Sequence, residues 1–475
     1  MRRFKVPDSI LVFFLFFSVY LLLFGRAQEY SYADGSLMFN VTKSIVEDGS
    51  FKSRVPGYYR GDVYLAYSKY GLGFSVITVP FYLVTKCLAN LIEPQAIDII
   101  TRFAPMLANV FITAVTCVVL FLFAFRLFRK RYIAFFIALL YGFATLAWPY
   151  SRYDFSEPLT GLCLLLAIYT LVLYQQTKKI FWLTLSSIAI SYAIFTRIIE
   201  LVIVLPWLLF LIWYLKKDRI PANLKLISSI LVPFIITILL FFWYNYYRFG
   251  NILVTGYEED IYRSRAFLNS FMIGIYGLLF SPGKGIFWYS PPILLSVFAY
   301  IFFWNQNRPL SLLCLVIILL HILIYSSWYA WEGGWCWGPR NLVPIIPILI
   351  LPIGYLLKKN KWVLYPAIGL LFCGIVIQFL GISYPFNIYI QSMIDRGVSF
   401  QDLLFNRSYN PISANLLLVV ALPIERMDFA LIPLLSSTYK HLVVVITLIL
   451  CFISGANGII LVKRSLEIDQ ANHEI

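Results

Sequence analysis

Ser9-Ile-Leu-Val-Phe-Phe-Leu-Phe-Phe-Ser-Val-Tyr-Leu-Leu-Leu-Phe-Gly25 carries no charge, and Arg2, Arg3 and Lys5 stand just before it. An apolar run of this length with basic residues on one flank reads as a membrane helix whose basic side faces the cytoplasm. No small-residue cleavage site follows and many apolar runs come after, so the segment reads as an anchor and not a removed signal. The loop that begins at Arg26 is then extracytoplasmic, and it is acidic, with Glu29, Asp34, Glu47, Asp48 and Asp62.

Working outward from that anchor, the whole chain fits lipid. Of 475 residues, 61% are hydrophobic and 13% charged, where a soluble domain carries about a quarter charged. Basic clusters punctuate the apolar runs at Arg126–Arg131, Lys178–Lys179, Lys216–Lys225, Arg308, Lys358–Lys361 and Lys463–Arg464. Taken as cytoplasmic loops, they predict spans at about 102–125, 132–149, 157–176, 180–196, 198–215, 226–244, 286–304, 309–327, 341–357, 362–381 and 440–462. With the first span that makes about twelve transmembrane helices with both termini inside. Residues 72–93 are apolar enough to cross, but a crossing there would put Arg126–Arg131 outside. They read as an interfacial helix on the outer face.

The expected fold is thus an all-α polytopic membrane protein, one transmembrane domain over 1–475. It has a first extracytoplasmic loop at 26–101 and a late extracytoplasmic segment at 382–439. On this topology the inner face holds 19 of the 38 Lys/Arg and 5 of the 23 acids. The net charge of +15 is therefore an orientation signal, and a nucleic-acid partner is excluded as its explanation. The seven cysteines form no CxxC pair and the three histidines are dispersed, so neither a zinc site nor a disulfide framework is indicated.

Several charged residues fall at the outer face. Asp34, in Tyr32-Ala-Asp-Gly-Ser36, could act as a general base, although its position before an apolar period suits a helix cap. Asp154 and Glu157 stand with Arg152 in a short loop, again open to a capping role ahead of Pro158. Lys69 precedes the interfacial helix and Arg102 opens the second span. Either could meet a phosphate or snorkel to headgroups. Lys284 sits between glycines, in a plain turn or against an anion. The densest signal is Trp328-Tyr-Ala-Trp-Glu-Gly-Gly-Trp-Cys-Trp-Gly-Pro-Arg340, where paired glycines lie between Glu332 and Arg340. Glycines admit close backbone approach and arginine grips phosphate in a fork. Arg197 and Glu200 flank an outer turn and can neutralise each other.

The first span with its outer-loop acid, then Ser68-Lys-Tyr-Gly-Leu-Gly-Phe74, then Arg102 opening a span that ends in Arg126-Leu-Phe-Arg-Lys-Arg131, resembles the GT-C membrane glycosyltransferases. The nearest branch is the phospholipid-carrier-dependent family 39 type, related to protein O-mannosyltransferases and aminoarabinose transferases. Arg248-Phe-Gly-Asn251, Leu279-Phe-Ser-Pro-Gly-Lys-Gly285 and Trp331-Glu-Gly-Gly334 are similar to strings in that branch. The resemblance implies sugar transfer from a polyprenyl-phosphate donor to a hydroxyl on a lipid, glycan or protein acceptor, at the outer face of the plasma (inner) membrane. It implies Asp34 as the catalytic first-loop acid, Glu157 with Asp154 as second-loop acids, and Lys69 as the lysine before the interfacial helix. A phosphate leaving group needs cations, not a general acid, so Arg340, Lys284 and Arg102 join Lys69 as candidates around the donor phosphate, with Glu332 beside them, and direct displacement with inversion is expected. Many members carry two adjacent acids where this chain has Asp34-Gly35, so no metal cofactor is indicated.

Two other readings belong to different classes. A flippase or transporter of a lipid-linked sugar would show a two-fold repeat and broken helices at mid-membrane. A glycan ligase would carry a sizeable soluble domain. The sequence shows acids clustered at one face, no internal repeat and no such domain.

Overall fold

The computed structural model describes residues 7–25, 33–53, 67–92, 97–258, 271–423 and 426–429. The expected span at 440–462, the Lys463–Arg464 loop, Glu29 and Asp62 lie outside the described residues. Helix is the regular structure throughout them, as lipid demands of a chain that must satisfy its own backbone. Among the described residues eight helices are long and apolar enough to cross a membrane, and shorter apolar helices accompany them. The chain is an all-α, multi-pass membrane protein.

The core is built from α1 (Pro7–Leu22), α5 (Ala104–Phe128), α6 (Arg131–Ala144), α8 (Glu157–Thr177) and α9 (Ile180–Thr196), with the short helices α4 (Ile97–Thr101) and α7 (Ala147–Tyr150) ahead of α5 and α8. α5 packs against α1, α6 and α8, and α8 against α9. Buried Phe16, Leu120, Phe136, Leu139 and Leu165 show why these helices are apolar nearly all round. At the rim, α11 (Leu224–Phe249) turns Leu231, Ile235, Leu239 and Trp243 outward, the face a lipid-exposed helix presents. Its ends are set locally. The Asn223 side chain accepts the Leu226 N–H at 2.9 Å, and Gly250 closes the last turn with φ 69°.

Two expected spans are irregular. Span 286–304 breaks at Ser290-Pro291 into a single turn and the helix Pro292–Gln306. Span 341–357 begins as a 3₁₀ segment, Arg340–Ile345, followed by two short helices. Pro344, Pro347 and Pro352 each remove a backbone donor there. This irregular backbone is buried in protein, the condition under which it is tolerated at membrane depth.

The two ends of the bundle differ in charge. α5 runs to Arg126, α8 to Lys178 and α10 (Val204–Lys217) to Lys216 and Lys217. These ends meet one another, Arg126 donating to Gln176 and Lys178 pairing with Asp218. Asp8, at the start of α1, joins them through Arg131 at 3.3 Å. The opposite ends of the same helices converge on loop 150–156, on α2 (Ala33–Glu47) and on the segment 328–340. Here Asn109 of α5 donates to the Tyr153 and Phe155 carbonyls, both at 2.7 Å, and fixes Asp154 between them. α3 (Gly73–Ile92) packs on α2 and α5, and its Tyr82 donates to Glu47 at 2.6 Å. By length and composition α3 also qualifies as a span, so the interfacial placement of 72–93 rests on charge orientation alone.

Candidate active site

Asp34 lies in the first turn of α2, and its carboxylate reaches across to Arg340, Oδ2 to Nη2 2.8 Å. The acid is spent on an arginine brought from 306 positions later in the chain, and the capping role open to it in the sequence gives way. Arg340 also stands 3.3 Å from Glu157 through its Nε and stacks over Phe155, 4.5 Å to the ring centre. Glu157, the first residue of α8, is buried and pairs with Arg197 as well. One guanidinium therefore sits between two carboxylates.

The Tyr70 hydroxyl stands beside Asp34 and helps to hold its carboxyl down. Burial, then the Asp34 charge, holds that phenol well above its ordinary range, so it remains a donor. Lys69 lies over the rings of Tyr70 and Tyr257, 5.7 and 5.4 Å from their centres, and its charge is felt at Asp34. The loop that supplies Tyr257 is tied by Glu258, which accepts from Thr255 N–H at 2.7 Å and Gly256 N–H at 2.8 Å.

Asp34 and Asp154 are neighbours with opposite electrostatics. Gly35 makes the approach possible, since a Cβ there would overlap the Asp154 carboxyl group. Burial raises the Asp34 carboxyl, but Arg340, the Tyr70 hydroxyl and Lys69 outweigh it and leave it below the ordinary carboxylate range. Burial pushes Asp154 well above that range, and the nearby Asp34 and Glu157 charges add to the rise. Among the described residues the buried Asp154 Oδ1 has no hydrogen-bond partner. Their surroundings thus push the two carboxyls apart, Asp34 toward its ionised form and Asp154 toward its protonated one.

The remaining sequence candidates divide. Lys284 is buried and commits its ammonium to the carbonyls of Gly334 (2.8 Å) and Cys336 (2.5 Å). It holds the turn that carries Arg340, and burial lowers its pKa. Gly333 and Gly334, at φ 74° and 79°, let that turn wrap the lysine. Glu332 is half-buried near Lys284 and Arg340, its carboxyl raised by burial. Arg102 is exposed and keeps company with Asp98, apart from the Asp34 cluster. Arg152, grouped with the two acids in sequence, turns away to Asp428 at 2.9 Å and the Ile382 carbonyl at 2.5 Å. The sequence reading missed Tyr70, although it is the neighbour of Lys69. It also missed that Arg197 binds Glu157 and that Glu200 faces His321.

No protein-family model matches this chain, and no curated protein matches it. Among solved structures the chain shares its fold with a protein named ArnT. The chain is similar to ArnT from Cupriavidus metallidurans bound to undecaprenyl phosphate, with a TM-score of 0.52 at 14% identity over 96% of this chain and 75% of that one. The apo form of the same protein gives a TM-score of 0.52 at 13% identity, over 96% and 74%. Likeness at that identity establishes the fold.

Proposed function

We propose that the protein is a membrane glycosyltransferase that moves a sugar from a polyprenyl-phosphate donor to a hydroxyl acceptor, with inversion, at the extracytoplasmic face of the plasma (inner) membrane. The observation that carries this reading is the ionised Asp34 beside Arg340 and Lys69, on a fold shared with a protein crystallised with undecaprenyl phosphate. The charge difference between the two ends of the bundle supports the orientation, because basic loops stay inside. We keep α3 at the outer interface on the same ground.

The chemistry follows from what each group can do. A phosphate leaving group is a weak base and calls for cations, not a general acid. Arg340 has five N–H donors, of which Asp34 and Glu157 occupy two directions. The rest can fork onto phosphate oxygens, with Lys69 as a second cation. As the sugar C1–O(phosphate) bond breaks, the acceptor oxygen bonds to C1 from the opposite side. Its proton passes to Asp34, and the phosphate departs with the bonding pair. Tyr70 steadies Asp34. Asp154, protonated, offers a hydrogen bond to a sugar hydroxyl without competing as a base. Glu332 and Lys284 shape the turn behind Arg340, and Arg102 has no role in the transfer.

The test is to reconstitute the purified chain with a radiolabelled polyprenyl-phosphate sugar. Label moving to an acceptor supports the transferase. Intact labelled carrier crossing the bilayer, with no transfer, would instead establish the flippase.

A further inference from the structure

Arg248-Phe-Gly-Asn251, with Thr255-Gly-Tyr257 after it, takes no part in the chemistry above, yet it closes around Lys69. α11 faces lipid for most of its length, but near its end it buries Tyr244, Asn245 and Arg248. Arg248 is 6% exposed, and a buried arginine in a membrane helix is costly unless its donors are met. The chain itself meets them. Nη1 donates to the Ser68 carbonyl at 2.6 Å and lies 3.4 Å from the Tyr70 carbonyl, and Nη2 donates to Asn245 Oδ1 at 2.6 Å. The guanidinium also lies over the Tyr244 ring, 3.9 Å from its centre. The two carbonyls flank Lys69, so one side chain holds the backbone on both sides of it.

The loop after α11 reaches the same lysine. Asn245 Nδ2 donates to the Ile252 carbonyl at 3.0 Å, and Glu258 ties Thr255 and Gly256. Gly256, at φ 90°, comes so close that a Cβ there would stand 2.9 Å from Lys69 Cβ and 3.1 Å from its Cα. Tyr257 follows and puts its ring centre 5.4 Å from the Lys69 ammonium. Downstream of Lys69, Gly71 and Gly73 lie against the backbone of Thr196 with no room for a side chain. The Tyr192 hydroxyl donates to the Gly73 carbonyl at 2.8 Å. The segment carrying Lys69 is thus pinned between the end of α9 and the end of α11.

We propose that Arg248 is a positioning residue of the transfer: by clamping the Ser68 and Tyr70 carbonyls it holds the Lys69 ammonium where the donor phosphate arrives. This rests on the donor-phosphate reading above. A lysine is a point charge on a flexible four-carbon stem, and its pull on a phosphate weakens with distance. Ordering such a stem costs entropy, and a clamp formed during folding removes that cost from the binding step. Arg340 is oriented differently, by Asp34 and Glu157. Arg248 acts through Lys69 and not on the phosphate, because its hydrogen bonds end on the chain itself.

The probe is undecaprenyl phosphate, titrated against the full chain in nanodiscs for the wild type, Arg248→Gln, Lys69→Ala and the double variant. Each single change should weaken binding by about tenfold, and the double should match Lys69→Ala within about twofold. Such non-additivity marks an effect relayed through Lys69. General damage to the fold, or a direct contact between Arg248 and phosphate, would instead add its own loss. A double variant weaker than Lys69→Ala by the full Arg248→Gln factor would overturn the proposal, as would wild-type affinity in Arg248→Gln. If Arg248→Gln does not fold, Gly256→Ala leaves the buried arginine in place, crowds the Lys69 stem and should give the same cycle. Absence of saturable binding by the wild type would overturn the functional reading and this proposal together.

Discussion

Two arginines, the buried Arg152 and the half-buried Arg340, stand at the same end of the bundle and are used in opposite ways. Arg152 is 1% exposed and tied to the Ile382 carbonyl and to the carboxylate and main chain of Asp428. It also lies over Phe429, so it fastens loop 150–156 to the late segment. Among the described residues the Arg340 side chain has no backbone partner of this kind. Its contacts are two carboxylates and an aromatic face, and its side chain is 16% exposed. A buried cation whose donors end on the chain itself is a fastener. A cation held by two acids that could be exchanged for a ligand's oxygens is a grip.

That contrast breaks or sharpens under substitution. The largest effect is expected at the acid on the grip. Asp34→Asn keeps the shape and removes the base, and transfer should fall by about 10²–10⁴ with undecaprenyl-phosphate affinity little changed. Rate measured against pH adds a sign. With its carboxyl held below the ordinary value, Asp34 stays ionised into acid, so the wild-type rate should decline only below about pH 4. The stability that the Asp34–Arg340 pair contributes follows the same sign. It is present above the ordinary carboxylate pKa and lost as pH falls through the lowered one.

Arg340→Lys replaces a fork by a point charge, and the loss of a charge-assisted hydrogen bond should weaken undecaprenyl phosphate by about 1.5–3 kcal/mol in a binding titration. The fastener should fail differently. Asp428→Ala leaves Arg152 with its charge unpaired and should cost about 3–5 kcal/mol of stability, read as a lower melting temperature with donor affinity intact. If Asp428→Ala instead lost donor affinity at unchanged stability, the division between the two arginines would be wrong. The smallest effect is expected at Asp154→Asn. A carboxyl that burial pushes toward its neutral form is replaced by a neutral group of the same shape, and transfer should change by under about tenfold, less than about 1.4 kcal/mol of barrier.

The contrast also marks how far the sequence could be read. The spans expected at 157–176 and 180–196 match Glu157–Thr177 and Ile180–Thr196 almost to the residue, because basic loops and αL caps at Lys178 punctuate them sharply. The spans containing Pro291 and Pro344–Pro352 were placed, but their breaks were not, since proline signals a possible stop without saying whether packing bridges it. Asp34, Glu157, Lys69 and Arg340 stood out as charges beside apolar runs. Arg152 stood out for the same reason and serves elsewhere. Charge in an apolar context marks a residue that needs a partner. It does not name that partner, which here lies hundreds of positions away for Arg152 and 128 positions away for the Arg197–Tyr325 hydrogen bond. The His321–Glu200 contact was invisible on the same ground, because a lone histidine in an apolar helix is ordinary until something faces it.

The central claim is that residue 34 looks outward beside a phosphate grip. Asp34→Cys, in a chain whose exposed Cys87 and Cys373 have been replaced by serine, can be exposed to a membrane-impermeant maleimide from either side of sealed vesicles. The account expects labelling from the extracytoplasmic side alone, slowed by undecaprenyl phosphate. Labelling from the cytoplasmic side would contradict it.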